Sequence, residues 1–175
     1  MPDEQRRIYW DSNVPLSYIN GIADRLAVID ELFKQARGRE IELLTSSVTR
    51  VEVAYAAEEK KSGQLDREVE QQINDLWAPG SPIKTVEFHD LIGDDAKMLM
   101  RRGISQGWGS LTPLDAVHLA TAKRMEVAEF HTYCERLHRW SSELGFPVGE
   151  PETAQGVLDG GMKPPATESS APDEA

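Results

Sequence analysis

The chain has 175 residues, of which 39% are hydrophobic and 28% charged, and this suits one globular domain with room for a core. Its net charge of −11 argues against broad electrostatic adhesion to nucleic acid, which relies on cations that displace counterions from phosphate. The single cysteine excludes an internal disulfide, and neither a signal peptide nor a membrane-spanning apolar stretch is evident, so we expect a cytoplasmic protein with no membrane role.

Hydrophobic periodicity and turn residues predict alternating strands and helices. In chain order we expect a strand over 7–11, a helix over 24–37, a strand over 41–45, helices over 48–60 and 65–77, a strand over 83–88, helices over 90–102 and 112–125, a strand over 127–132, a helix over 135–144 and a short edge strand over 146–148. Gly38 is expected to cap the first of these helices, and Ser46 or Ser47 can cap the second.

This alternation predicts an α/β fold, in which helices cover both faces of a central, mainly parallel sheet. Such sheets place their sites beyond the carboxyl ends of the strands. We expect one domain over residues 1–149. Residues 150–175 hold six acidic residues, one lysine and almost no large apolar side chains, so we predict a disordered acidic tail.

Asp11 follows directly on the first predicted strand, at the edge where polar atoms of a parallel sheet can converge on a ligand. An Asx-turn or a helix cap explains the same residue without any function. Glu52 falls on a helical projection among Val48, Val51 and Tyr55, so its carboxylate needs a partner. That partner is a metal, a donor cluster or, in a purely structural role, an arginine.

Asp115 occupies the third position of the helix that Thr112 and Pro113 open, where the helix dipole favours an acid. A capping role therefore accounts for it as well as catalysis does. His118 lies one turn further along the same helix, near enough for an i, i+3 pair. It is either packed against the sheet or acts as a metal ligand or base.

Together, three separated acids at strand ends and helix starts point to one shared site. Carboxylates about 4 Å apart repel by roughly 4 kcal/mol at an effective dielectric near 20, so a cluster of Asp11, Glu52 and Asp115 needs a cation. Their hard oxygen atoms favour Mg²⁺ or Mn²⁺. Such a metal can activate water for the cleavage of a phosphodiester.

Three segments, residues 8–13, 47–53 and 111–122, together resemble PIN-domain proteins, including the VapC-type toxins of bacterial toxin and antitoxin pairs. The resemblance covers roughly residues 7–148. It implies a three-layer α/β/α sandwich and an endoribonuclease that uses Asp11, Glu52 and Asp115 around a divalent cation. It also implies a cognate antitoxin and a homodimer as partners.

The segment over 130–137 is similar to the family's Thr-Tyr-Asp segment, but Cys134 stands where the family has the aspartate. A thiol is a poor Mg²⁺ ligand, so adjacent Glu135 or a water would have to substitute. The resemblance also gives Thr132 a place near the metal or a phosphate, and Asn13 can orient a ligand or brace Asp11. Both side chains can instead satisfy backbone groups.

Two interpretations follow from these residues. The first is an active Mg²⁺-dependent ribonuclease, and the second is a PIN-fold module that binds RNA or protein and has lost catalysis through Cys134. A third, a phosphohydrolase with Asp11 as nucleophile, is disfavoured because Asn13 stands where such enzymes usually have a second aspartate.

Overall fold

The computed structural model describes residues 5–153. Its strands are β1 (Arg6–Trp10), β2 (Ile41–Ser46), β3 (Ile83–Val86), β4 (Glu129–His131) and β5 (Val148–Gly149). Its helices are α1 (Asn13–Ile19), α2 (Ala23–Arg37), α3 (Thr49–Glu52), α4 (Ala57–Ser62), α5 (Arg67–Trp77), α6 (Asp90–Ser105), α7 (Pro113–Arg124), α8 (Glu135–His138) and α9 (Ser141–Leu144).

The five strands form one parallel sheet in the order β3-β2-β1-β4-β5. β1 lies at its centre, where Ile8 is opposite Leu43 of β2 and Glu129 of β4. A central strand of a parallel sheet is covered on both faces, which explains why residues 8–10 are all buried. The predicted α/β class with a parallel sheet is confirmed.

Two hydrophobic clusters cover the two faces of the sheet. Tyr9 packs on one face with apolar residues of α6 and α7, including Leu99 and Leu119. Ile8 and Trp10 point to the other face and pack against α1, α2 and α5. This alternation is the period of two that a strand imposes on its side chains, and it completes the predicted three-layer sandwich.

The single helix expected over 48–60 is wrong. The chain leaves α3 at Val53, which is fully buried, and starts α4 after Ala56. The carboxylate of Glu59 accepts hydrogen bonds from the backbone N–H of Ala56 at 2.9 Å and of Asp66 at 2.7 Å. Glu59 thereby caps the start of α4. Because α3 and α4 are separate helices, a single helical projection over residues 48–60 assigns side chains to the wrong faces.

The last helix is likewise divided, because Trp140 is buried between α8 and α9 and the Ser141 hydroxyl accepts a hydrogen bond from the Val148 N–H at 2.8 Å. α6 continues three residues beyond the expected end at 102. Gly38 does terminate α2, but the left-handed residue there is Arg39, with φ of 60°.

The predicted boundary between domain and tail lies near the end of the described chain. Residues 150–153 are described, and Pro151 among them is buried, whereas the rest of the predicted tail, 154–175, lies outside the described residues. None of the helices between residues 5 and 153 combines the length and hydropathy that crossing a bilayer would require.

Candidate active site

The candidate site lies at the carboxyl edge of the sheet. Asp11 and Thr132 follow the ends of the neighbouring strands β1 and β4, which run parallel. Glu52 ends the short helix α3 that follows β2, and Asp115 lies in the first turn of α7. The parallel topology therefore delivers these polar residues to one end of the sheet.

Asp11 is buried, with 2% of its surface exposed, and neutral donors surround its carboxylate. Thr132 Oγ1 donates to Oδ2 at 2.5 Å, while the side chain and the backbone N–H of Asn13 donate to Oδ2 and Oδ1, each at 3.0 Å. Burial raises the pKa of this carboxyl to about 6, although these hydrogen bonds and nearby His118 favour the charged form. Asp11 therefore forms the Asx-type turn, and a nearby positive charge would also stabilise its buried carboxylate.

Glu52 is held by two side chains, and neither of them is an arginine. The Ser12 hydroxyl donates to Oε1 at 3.0 Å, and His118 Nε2 lies 2.6 Å from Oε2. His118 is itself buried, and its Nδ1 lies 2.8 Å from the hydroxyl of Tyr9. The prediction that Glu52 needs a partner is met, but Val51 and Tyr55, expected beside it on an apolar face, are 79% and 54% exposed.

Thr112 caps the helix through the backbone of Asp115, and the Asp115 carboxylate makes an ion pair. The Asp115 N–H donates to the Thr112 hydroxyl at 3.1 Å, and its Oδ2 lies 2.7 Å from Arg136 Nη2. The same guanidinium donates through Nε to Cys134 Sγ at 3.2 Å. These contacts make Arg136 the cation nearest to the predicted ligand positions 115 and 134. Glu135 is exposed in the first turn of α8.

The Thr132 hydroxyl connects Asp11 and Cys134. It donates to Asp11 and accepts a hydrogen bond from the Cys134 N–H at 3.0 Å. Among residues 5–153, however, no group of three or more His, Cys, Asp and Glu side chains is arranged so that it could hold a metal ion. The metal-ligand roles of Asp11, Glu52 and Asp115 accordingly stay a prediction.

Three contributors to this site were missed by the sequence analysis: Tyr9, Ser12 and the paired role of Arg136. A signal existed for Tyr9, whose hydroxyl sits on a strand predicted to be buried and must therefore find a partner. No comparable signal exists for Arg136, since its contact with Asp115 spans 21 residues and depends on how α8 packs.

Comparisons with known proteins agree with this architecture. The family model of the PIN domain matches residues 8–141. The crystal structure of VapBC2 from Rickettsia felis, bound to a DNA fragment from their promoter, is similar at a TM-score of 0.60 and 13% identity, covering 83% of this chain and 99% of that chain.

DNA-bound VapBC from Salmonella typhimurium has a TM-score of 0.55 and 13% identity over 83% of this chain and 98% of that one. FitAcB from Neisseria gonorrhoeae has a TM-score of 0.55 and 17% identity, with coverages of 82% and 97%. At such identities these structures show a shared fold, and a search of curated proteins found no match. Because the family model spans most of the chain and the fold agrees with it, this protein belongs to the PIN domain family.

Proposed function

We propose that this protein is a metal-dependent endoribonuclease whose site is built on Asp11, Glu52 and Asp115. PIN domains are typically nucleases, and the chain belongs to that family. The observation that carries the proposal is the buried carboxyl of Asp11, at the carboxyl end of the central strand, with hydrogen bonds from neutral donors only. A charge so placed is stabilised by a bound cation.

The chemistry of the donor set fits a hard divalent cation. Asp11, Glu52 and Asp115 offer carboxylate oxygens, which suit Mg²⁺ or Mn²⁺. When bound, such a cation would lower the pKa of a water molecule and neutralise charge that develops on the phosphodiester. Thr132 and Asn13 orient the Asp11 carboxylate, while Ser12 holds that of Glu52. Asp115 would exchange the guanidinium of Arg136 for the metal.

A second candidate function, an RNA- or protein-binding module without catalysis, is favoured by one specific observation. Arg136 already neutralises Asp115 and is anchored on Cys134, at the position where the family has an acid. With that arginine in place, part of the positive charge that a metal would bring is supplied by the protein itself.

The partners that we propose are an RNA substrate, a cognate antitoxin protein and a second copy of this chain, in the cytoplasm. Support for the antitoxin comes from the relatives of similar fold, whose structures are those of VapBC2, VapBC and FitAcB. The net charge of −11 requires that RNA be held by local contacts instead of a broad basic surface.

Cleavage of diverse RNAs by purified protein with Mg²⁺ or Mn²⁺ tests the leading function. EDTA, Asp11→Asn and Asp115→Asn should each abolish cleavage, while Asp94→Asn, an exposed acid paired with Lys97, should leave it unchanged. If no part of the cleavage is lost in EDTA or in either site variant, the cleavage does not depend on this site, and the assignment is refuted.

Cys134→Asp separates the two candidate functions. If residue 134 occupies a ligand position, this substitution should tighten Mg²⁺ binding and raise the cleavage rate, because a carboxylate replaces a soft thiol. A folded wild type that cuts no RNA, together with an active Cys134→Asp variant, would favour the binding module. No change in either quantity would contradict the alignment of this segment with the family's acidic position.

A further inference from the structure

A buried chain of hydrogen bonds leads from the sheet to Glu52. His118 lies on α7 with 1% of its surface exposed, between the Tyr9 hydroxyl at 2.8 Å from Nδ1 and the Glu52 carboxylate at 2.6 Å from Nε2. Tyr9 is fully buried on the central strand, two residues before Asp11. The imidazole therefore connects the core of the sheet to the candidate site.

The donors and acceptors along this chain suggest where each proton lies. The Ser46 N–H donates to the Tyr9 oxygen at 3.0 Å, and the Tyr9 hydroxyl can in turn donate its proton to His118 Nδ1. An ionised Glu52 can only accept, so the Nε2 of His118 must carry its proton toward Oε2. With Tyr9 as the donor to Nδ1, these contacts match the Nε2–H tautomer of His118.

Both oxygens of Glu52 are fixed as a result. His118 donates to Oε2, and Ser12, the residue after Asp11, donates to Oε1 at 3.0 Å. α3 is only four residues long and is followed by an irregular segment, so the helix alone gives Glu52 little rigidity. The short contact to a buried, hydrogen-bonded imidazole supplies what the helix lacks.

We propose that His118 is a positioning residue for Glu52, and that Tyr9 sets the tautomer in which His118 does so. This inference rests on the proposed metal-dependent function and names residues through which it would work. Partners of this kind orient a ligand without touching the metal, and their loss typically lowers metal affinity 10- to 100-fold. His118 is then neither a metal ligand nor a residue that merely fills the core.

The first arm of the test uses the metal-free protein. Long-range ¹H–¹⁵N NMR of wild type should report the Nε2–H tautomer for His118. In Tyr9→Phe the Nδ1 atom loses its donor, so the spectrum should shift toward a mixture of tautomers or toward the imidazolium. His131 is an internal control, because Trp10 Nε1 donates to its Nδ1 at 3.2 Å and the tautomer of His131 should not change. An Nδ1–H tautomer of His118 in wild type would overturn the proposal.

The second arm is Mn²⁺ binding by calorimetry, which needs no RNA. His118→Leu should weaken binding at least tenfold, whereas His118→Gln, whose amide can still donate to Glu52, should stay within about threefold of wild type. Circular dichroism establishes that each variant is folded. If His118→Leu binds like wild type, or His118→Gln loses as much affinity as His118→Leu, the positioning role fails. No Mn²⁺ binding by folded wild type would instead overturn the metal-dependent function, while the NMR arm would still decide the contacts of His118.

Discussion

Cys134 is half-buried, and its sulfur accepts a hydrogen bond from Arg136, whose guanidinium also binds Asp115. Arg136 thus contacts both Cys134, which departs from the family's pattern, and Asp115, which follows it. The side chain of Arg136 is 56% exposed, so its ion pair with Asp115 is accessible to water and weak enough to exchange. We interpret Arg136 as a cation that competes with a metal for Asp115.

Arg136→Gln should therefore tighten Mn²⁺ binding by up to about fivefold, since an exposed ion pair contributes roughly 0.2–1 kcal/mol. Calorimetric titration of the variant and wild type measures this difference. Arg102→Gln is the matched control, because Arg102 makes a similar exposed pair with Glu143 and should leave Mn²⁺ affinity unchanged. Weaker binding by Arg136→Gln would contradict competition and would indicate that the arginine supports the site.

Two buried groups near the site, Asp11 and His131, have opposite effects on the stability of the fold as the pH changes. Burial raises the pKa of the Asp11 carboxyl from 3.8 to about 6, so Asp11 contributes stability that is complete below pH 3.8 and is lost as the pH rises through 6. Burial also lowers the pKa of His131 from 6.5 to about 4, which gives stability that is present above pH 6.5 and lost as the pH falls toward 4. Each effect amounts to at most about 3 kcal/mol.

Replacing either Asp11 or His131 should reveal how the other group changes the free energy of unfolding with pH. In EDTA, Asp11→Asn should lose unfolding free energy more steeply than wild type as the pH falls from 6.5 to 4. His131→Asn, whose amide oxygen can still accept from Trp10, should lose less than wild type or gain stability over the same range. Denaturant unfolding at several pH values measures this, and identical pH profiles for all three proteins would refute the assigned pKa values.

At the scale of secondary structure, the division between α3 and α4 determines which acids face the core. Glu59 is 6% exposed and binds two backbone N–H groups that begin the next segments, whereas its neighbour Glu58 is exposed. Loss of the Glu59 carboxylate would leave both donors without that acceptor. The segment that follows α3 therefore depends on a residue outside the candidate site.

Glu59→Ala should lower the free energy of unfolding by about 1–3 kcal/mol, the typical cost of leaving buried donors unpaired. Glu58→Ala, a change of the same chemistry on an exposed side chain, should stay within about 0.5 kcal/mol of wild type. Urea unfolding followed by circular dichroism compares the two variants. Equal stabilities would show that water replaces the carboxylate at both N–H groups.

Most of the elements could be predicted from the sequence because their periodicity is local. The strand before Asp11 and the capped start of α7 at Thr112 are examples, since a short run of β-favouring apolar residues and a Thr-Pro pair suffice to identify them. The break after Val53 was not predicted, because Ala56 is not a usual capping residue and Glu59 stabilises the new helix start through the N–H groups of both Ala56 and Asp66. Likewise, a helical projection correctly required a partner for Glu52, but only the packing of α7 makes that partner His118.

For the whole molecule, we expect net charge to govern how the proposed RNA substrate approaches the candidate site. Residues 154–175 hold four of the 30 acids and one lysine, and we predict that they repel nucleic acid. Ending the chain after Thr153 should strengthen RNA binding at low salt by a factor of a few and leave the melting temperature nearly unchanged. Binding titrations at 50 and 200 mM salt measure this, and an equal affinity of both chains at low salt would contradict the repulsion.

The central position of β1 also constrains when the protein can become active during its synthesis. β1 pairs with β4, so the sheet around Ile8 is incomplete until Glu129 has been synthesised. A ribosome that has released only the first 120 residues has delivered Asp11, Glu52 and Asp115 but neither Thr132 nor Arg136. Long-range pairing of this kind forms late, so the candidate site is incomplete until nearly all of the domain has emerged. For the proposed nuclease, this order of synthesis would delay cleavage of any RNA, including its own messenger, until translation of the domain is almost finished.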